Sequence, residues 1–170
     1  MNHPRANNIP DQPRIIVLGV SGSGKSTVAS LLSQHLNVPF IEADDFHPEA
    51  NINKMKSGIP LNDSDREPWL KALNQHMKDT SSTGFVMACS ALKESYREIL
   101  MDDIPSFHWV YLDGNFEQIH HRMQQRSHFM KPEMLQSQFD ALEIPEYGIH
   151  CSIDYPPEEI VNQILNQLSE

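Results

Sequence analysis

Gly19-Val20-Ser21-Gly22-Ser23-Gly24-Lys25-Ser26 is the stretch that decides the fold: it reads G-x-x-x-x-G-K-S, a phosphate-binding loop, and Thr27 follows it. Immediately before it, Ile15-Ile16-Val17-Leu18 is an unbroken apolar run, which suits a strand buried on both faces of a parallel sheet. Immediately after it, Val28, Leu31, Leu32 and Leu36 recur at helical spacing and form one apolar face. The motif thus sits between a strand and a helix, the context its mechanism requires. Gly19, Ser21, Gly22, Ser23, Gly24, Lys25, Ser26 and Thr27 are the candidate nucleotide contacts. The glycines let the backbone turn its N–H groups inward around a phosphate, and the new helix adds its unpaired N–H groups and positive dipole end. The pattern assigns Lys25 to the β- and γ-phosphates of ATP and Ser26 to Mg²⁺.

Working outward, Asn37 reads as a helix stop and Pro39 forbids continuation. Phe40-Ile41 begins a second strand that ends in Glu42-Ala43-Asp44-Asp45. In open parallel sheets ligands bind beyond the carboxyl ends of the strands. Carboxylates there, beside a phosphate loop, are candidates to hold metal-bound water or to accept a proton from a substrate hydroxyl, and Asp44 is the first choice. The following stretch is dense in hydrogen-bonding groups: His47, Asn51, Lys54, Asp63, Asp65 and Arg66. Between two strands, such a cluster reads as a substrate-binding insertion. Ser64 and Glu67 have the spacing of a capping box for a helix carrying Trp69, Leu70 and Leu73.

The run Asp44-Asp45-Phe46-His47-Pro48, then Asn51, Lys54-Met55, Gly58, Pro60-Leu61, Asp63, Asp65-Arg66 and Pro68-Trp69-Leu70, resembles the signature of the gluconate kinases, small P-loop kinases similar to shikimate kinase. A later Ser90-Ala91-Leu92-Lys93, after the apolar run Phe85–Cys89, is also similar to that family. Lys93 is a cation suited to an anionic substrate at the same sheet edge, and Arg97 is a weaker candidate on the helix read over Lys93–Met101. Trp109-Val110-Tyr111-Leu112 reads as a fourth strand, followed by a helix face of Phe116, Ile119 and Met123. Arg122 and Arg126, four apart, share one helix face, and they match the family's mobile lid, as do His128-Phe129 and Ser137-Gln138-Phe139. A lid arginine offsets charge on the transferring phosphate. Ile149–Ile153 reads as the last strand, and the turn Asp154-Tyr155-Pro156-Pro157 falls where the adenine is expected. The link from Pro145 to that strand is shorter than the family's, and the strand is less apolar.

The bulk numbers fit. One domain is the prior for 170 residues, and a net charge of −10 argues against nucleic acid or an anionic membrane as the main partner. There is no transmembrane run, and Met1–Pro13 lacks the apolar core of a signal peptide. Cys89 and Cys151 lack metal spacing and read as reduced core residues, so a cytoplasmic location is the default.

The expectation is a doubly wound α/β domain with a five-stranded parallel sheet. Residues 1–13 are expected to be a disordered leader and residues 14–170 a single kinase domain. The resemblance implies the P-loop NTPase three-layer sandwich, nucleoside-monophosphate-kinase-like, with strand order 2-3-1-4-5, a substrate insertion at about 46–68 and a lid at about 124–134. It implies Mg²⁺- and ATP-dependent phosphorylation of gluconate, and it suggests a homodimer. Lys25, Asp44 and Arg126 would be catalytic, with Arg122 on the nucleotide and Asp44, His47, Lys54, Arg66, Lys93 and Arg126 on the substrate. Two alternatives stand beside it. One is a kinase for shikimate, another sugar acid or a nucleoside monophosphate. The other is a regulatory P-loop module, which would have no need of an acceptor site.

Overall fold

The computed structural model describes residues 13–125 and 131–169. Five strands, β1 (Arg14–Leu18), β2 (Phe40–Glu42), β3 (Phe85–Ala88), β4 (His108–Asp113) and β5 (Ile149–Ser152), form one sheet. Its order is β2-β3-β1-β4-β5, and every neighbouring pair is parallel. This is the order the resemblance implied. Among the described residues seven α-helices surround the sheet: α1 (Lys25–Leu36), α2 (Glu49–Lys56), α3 (Asp63–Thr80), α4 (Glu94–Met101), α5 (Phe116–Gln124), α6 (Pro132–Ala141) and α7 (Pro157–Leu168). None among the described residues is long and apolar enough to cross a membrane.

The apolar runs sort the strands. β1 is central, and Ile15, Ile16, Val17 and Leu18 are wholly buried, as are Phe85 to Ala88 of β3. Ile16 lies in register with Met87 on one side and Trp109 on the other. β5 is an edge strand with only Cys151 buried, which accounts for its weaker apolar signal. α1 packs on β3 and on α7, while α3 packs on α4. Parallel strands place the loops after β1, β2, β3 and β4 at one edge of the sheet, and there the site is built.

Asn37 closes α1 as its composition indicated: it takes φ +56°, and its neighbourhood returns main-chain bonds to Gln34 and Ser33. The start of α3 differs from expectation. Asn62 rather than Ser64 is the cap: its side chain accepts from Asp65 N at 2.8 Å, and the Asp65 carboxylate accepts from Asn62 N at 2.9 Å. Asn caps as well as Ser, and the aspartate three residues on is short enough to reach back, so the helix begins earlier. Pro13 belongs with β1 rather than the leader, because it is buried and its carbonyl accepts from Phe85 N at 2.8 Å. Lys93 caps α4 in extended conformation instead of lying in its first turn.

Candidate active site

The loop from Gly19 to Gly24 turns out of β1 and feeds α1 directly. Gly24 is the N-cap of α1 at φ +96°, and Gly22 takes φ +81° against Met123 of α5. A Cβ at Gly24 would be strained although the space around it is open; one at Gly22 would also lie 2.8 Å from Met123 Cγ. Ser23 turns under the loop, with its N–H donating to Val20 O and its hydroxyl beside Gly19. Lys25 folds back over the loop and donates to Val20 O at 3.0 Å. Desolvation pushes the Lys25 ammonium below the usual lysine range, opposed by Asp44, Cys89 and Glu42. Burial likewise pushes the neighbouring Cys89 thiol up to about 12, so it is an inert core group. The Ser26 hydroxyl donates to the Glu42 carboxylate at the end of β2.

Two cavities meet at this loop. The first, about 270 Å³, lies over Gly22, Gly24, Ser26 and Thr27. The second, about 190 Å³ and more enclosed, is walled by His47, Arg66 and Trp69 from the insertion and α3, by Ser90 after β3, and by Gln138 of α6. Ser21, Lys25 and Asp44 line both. Asp44 sits in the short 3-10 turn Ala43–Phe46 that follows β2. Arg66 uses Nη1 to donate to Leu61 O at 2.8 Å and Tyr96 Oη at 3.0 Å, and its guanidinium lies 5.4 Å from the Tyr96 ring centre. A guanidinium has five N–H donors, so this anchored side chain retains donors for a carboxylate. Arg66 also lines an outer cleft of about 510 Å³, which includes Lys93.

The other residues singled out in the sequence fall in different places. Lys54 lies outside the walls of these cavities and pairs with Asp65 at 2.7 Å. Lys93 pairs with Asp63 at 3.1 Å, which answers its unfavourable place at a helix N-terminus. Arg122 donates to the carbonyl of Ile153, just past β5. Arg126 and His128 lie outside the described residues. Arg97 is no site residue: it is buried and holds the main chain of the Ala91–Leu92 loop and of Glu143. Asp154 accepts from the Gln118 side chain, which ties the turn after β5 to α5.

Gln138 is a residue of the acceptor-cavity wall that sequence reasoning does not single out. Its Oε1 accepts from Ser21 N at 2.7 Å and its Nε2 donates to Ser21 Oγ at 2.9 Å, so α6 is docked on the phosphate loop. The contact spans 117 positions, and its only signal was the likeness of Ser137-Gln138-Phe139 to a lid segment.

Two measurable consequences follow from burial and charge here. Lys25→Met should lower turnover about 10²–10³-fold by removing a donor to the charge-bearing phosphates. It should not lower the thermal midpoint of the nucleotide-free protein, because the ammonium is desolvated there; a large drop in steady thermal melts would give Lys25 a structural role instead. His47 and His108 are both pushed below the usual histidine value of 6.5, chiefly by burial. Below pH 6.5 the unfolded chain takes up these protons before the folded one, so stability is full above that pH and falls as pH drops toward the folded values. Melting curves across this range should show the decline, and His47→Gln with His108→Gln should flatten it.

A phosphate loop opening across a lysine and a carboxylate onto an enclosed polar cavity defines a P-loop kinase for a small hydroxylated acceptor. Residues 21–169 match the family model described as shikimate kinase. A probable gluconokinase from Rattus norvegicus is 45% identical over 178 residues, covering 91% of this chain and 96% of its own. The thermosensitive gluconokinase of Escherichia coli K12 is 48% identical over 135 residues, covering 77% and 72%. The crystal structure of a gluconokinase from Sinorhizobium meliloti 1021 superposes with a TM-score of 0.87 at 40% identity, covering 94% of this chain and 93% of that one. The chain belongs to the gluconokinase family.

Proposed function

We infer that the protein transfers the γ-phosphoryl group of ATP to D-gluconate, giving 6-phospho-D-gluconate and ADP. The observation that carries the reading is the meeting of the two cavities at Ser21, Lys25 and Asp44. A donor phosphate on the loop and an acceptor in the enclosed cavity would face each other there, which supplies the proximity the reaction needs. In the proposed step the terminal hydroxyl oxygen of gluconate bonds to the γ-phosphorus. The bond from that phosphorus to the bridging oxygen breaks, ADP leaves with its electron pair, and the hydroxyl proton passes to Asp44.

Lys25 would swing from Val20 O to the phosphates, and the loop N–H groups would hold them. Arg66 would take the carboxylate at the far end of the cavity, with Lys93 adding positive potential from the adjoining cleft. His47 faces the reacting hydroxyl beside Asp44, and Lys54 acts through Asp65 to hold the insertion. Arg122 and Arg126 would close over the phosphates, Arg122 leaving Ile153 to do so. The oxygen donors Ser26 and Glu42 suit Mg²⁺, which needs few protein ligands when phosphates supply the rest, and they would hold it. Bound there it would offset negative charge on the phosphates. A reducing, cytoplasmic setting agrees with the buried thiols of Cys89 and Cys151.

A regulatory module would have no use for the enclosed cavity. The test is product identification: incubation with ATP, Mg²⁺ and gluconate, followed by phosphorus NMR. A phosphomonoester on the terminal carbon of gluconate is expected. ATP binding without any sugar-acid phosphate would overturn the reading.

A further inference from the structure

Asn51, on α2, is 3% exposed, and the chemistry above makes no use of it. Its Nδ2 lies 2.9 Å from Asp65 O and 3.1 Å from His47 Nδ1. A main-chain carbonyl oxygen can only accept, so the Asn51 atom facing Asp65 must be the amide nitrogen and not its oxygen. That nitrogen carries two hydrogens. One serves Asp65, and the other points at His47 Nδ1. The ring nitrogen must therefore accept, which places the single proton of a neutral imidazole on Nε2.

His47 Nε2 in turn faces Asp44 Oδ1 across 3.9 Å. That is too far for a direct hydrogen bond, but one oxygen bonded to both atoms fits between them. The ring is fixed in its plane by stacking on Trp69, with centroids 4.2 Å apart and planes at 14°, and its side chain is 5% exposed. The charged groups facing it are Asp44 and Arg66, which act in opposite directions, and burial keeps the ring neutral.

We propose that Asn51 is a positioning residue that holds His47 as its Nε2–H tautomer, so that His47 donates to the acceptor hydroxyl oxygen while Asp44 takes the hydrogen of that hydroxyl. The identity of that hydroxyl rests on the kinase reading above; the tautomer does not. The consequence is a polarity at this end of the cavity. The oxygen between His47 and Asp44 must accept from one and donate to the other, which a hydroxyl does and a keto or carboxylate oxygen does not. The reacting hydroxyl is thus assigned to the His47–Asp44 end and the carboxylate to the Arg66 end.

The test is nitrogen NMR of protein carrying isotopically labelled histidine, in long-range proton–nitrogen correlation at neutral pH. Of the nine histidines, His47 is the one whose signals vanish in His47→Gln. The expected pattern is an unprotonated Nδ1 and a protonated Nε2. A protonated Nδ1, or signals averaged between tautomers, overturns the proposal from the wild-type spectrum alone, so it stays testable should the substituted protein fail to fold. In Asn51→Asp a carboxylate replaces the donor, and the His47 proton should move to Nδ1 or the ring become doubly protonated. Where the proton has moved to Nδ1, gluconate KM should rise roughly tenfold, the cost of one lost hydrogen bond, with ATP KM little changed; a doubly protonated ring keeps Nε2–H and should leave gluconate KM near its unaltered value. An unaltered Nε2–H signal in folded Asn51→Asp would also overturn it. The spectrum needs neither ATP nor gluconate, so failure of the gluconate assignment and failure of this proposal are separate results.

Discussion

Asp44→Asn should lower the turnover of gluconate by about 10²–10⁴-fold, the range for loss of a positioned general base, while ATP affinity should stay close to that of the unaltered enzyme. The amide matches the carboxylate in size, and Asp44 stands exposed on the turn after β2, so folding is not at stake. What is lost is the ability to take a proton at the junction of the two cavities. The amide also removes the charge that pulls the Lys25 ammonium back toward its usual range. Single-turnover kinetics separate these effects: loss confined to the chemical step fits the base role. A comparable fall in affinity for Mg-ATP would reassign Asp44 to the metal. Unchanged turnover would remove Asp44 from the mechanism.

Arg97→Met should destabilise the protein by about 3–5 kcal/mol, as for a buried charge network broken by removing one partner. The Arg97 side chain is 1% exposed and donates to Ala91 O at 2.9 Å, to Leu92 O at 3.2 Å, to Glu143 O and to the Glu94 carboxylate. Methionine fills much of the volume but removes the donors to Ala91 O and Glu143 O, while Leu92 O keeps the Glu143 N–H at 2.7 Å. The loop it holds is not relaxed, since Ala91 takes φ +40°, where a side chain is disfavoured. Ser90 at the start of that loop walls the acceptor cavity, so gluconate KM should rise in any fraction that folds. For a chain of this size the thermal midpoint should fall by roughly 10 °C. A shift of only a degree or two would show that the network adds little.

These two residues mark what could and could not be seen in the chain. The phosphate loop declares itself because its geometry forces a local pattern of glycine, lysine and serine between an apolar strand and an amphipathic helix. Central strands are equally plain, since burial on both faces leaves runs such as Ile15–Leu18 with no polar interruption. The place of Asp44 at the junction of the cavities could be read because the carboxyl end of β2 is where ligands bind in such sheets. Strand order came from the resemblance alone.

Arg97 was not legible, because a charged residue in a helix reads as solvated unless its partners are known. Besides the Glu94 carboxylate, those partners are main-chain carbonyls, one of them of Glu143, 46 positions away. Lys54 and Lys93 looked like free cations for a substrate, yet each has a carboxylate from α3, Asp65 and Asp63. At the start of α3, Asn62 with Asp65 and Ser64 with Glu67 satisfy the same capping chemistry, so spacing could not choose between them. The hold of Gln138 on Ser21 joins residues 117 positions apart and has no local signature.

The central claim is that the enclosed cavity accepts gluconate, and the most direct measurement is coupled ADP release with Mg-ATP across a panel of acceptors. The panel contains gluconate, other sugar acids, shikimate and nucleoside monophosphates. Gluconate should give the largest kcat/KM, with shikimate and the nucleotides near the background of ATP hydrolysis. Turnover with another acceptor and not with gluconate, or no turnover by a protein that binds ATP, would contradict the account.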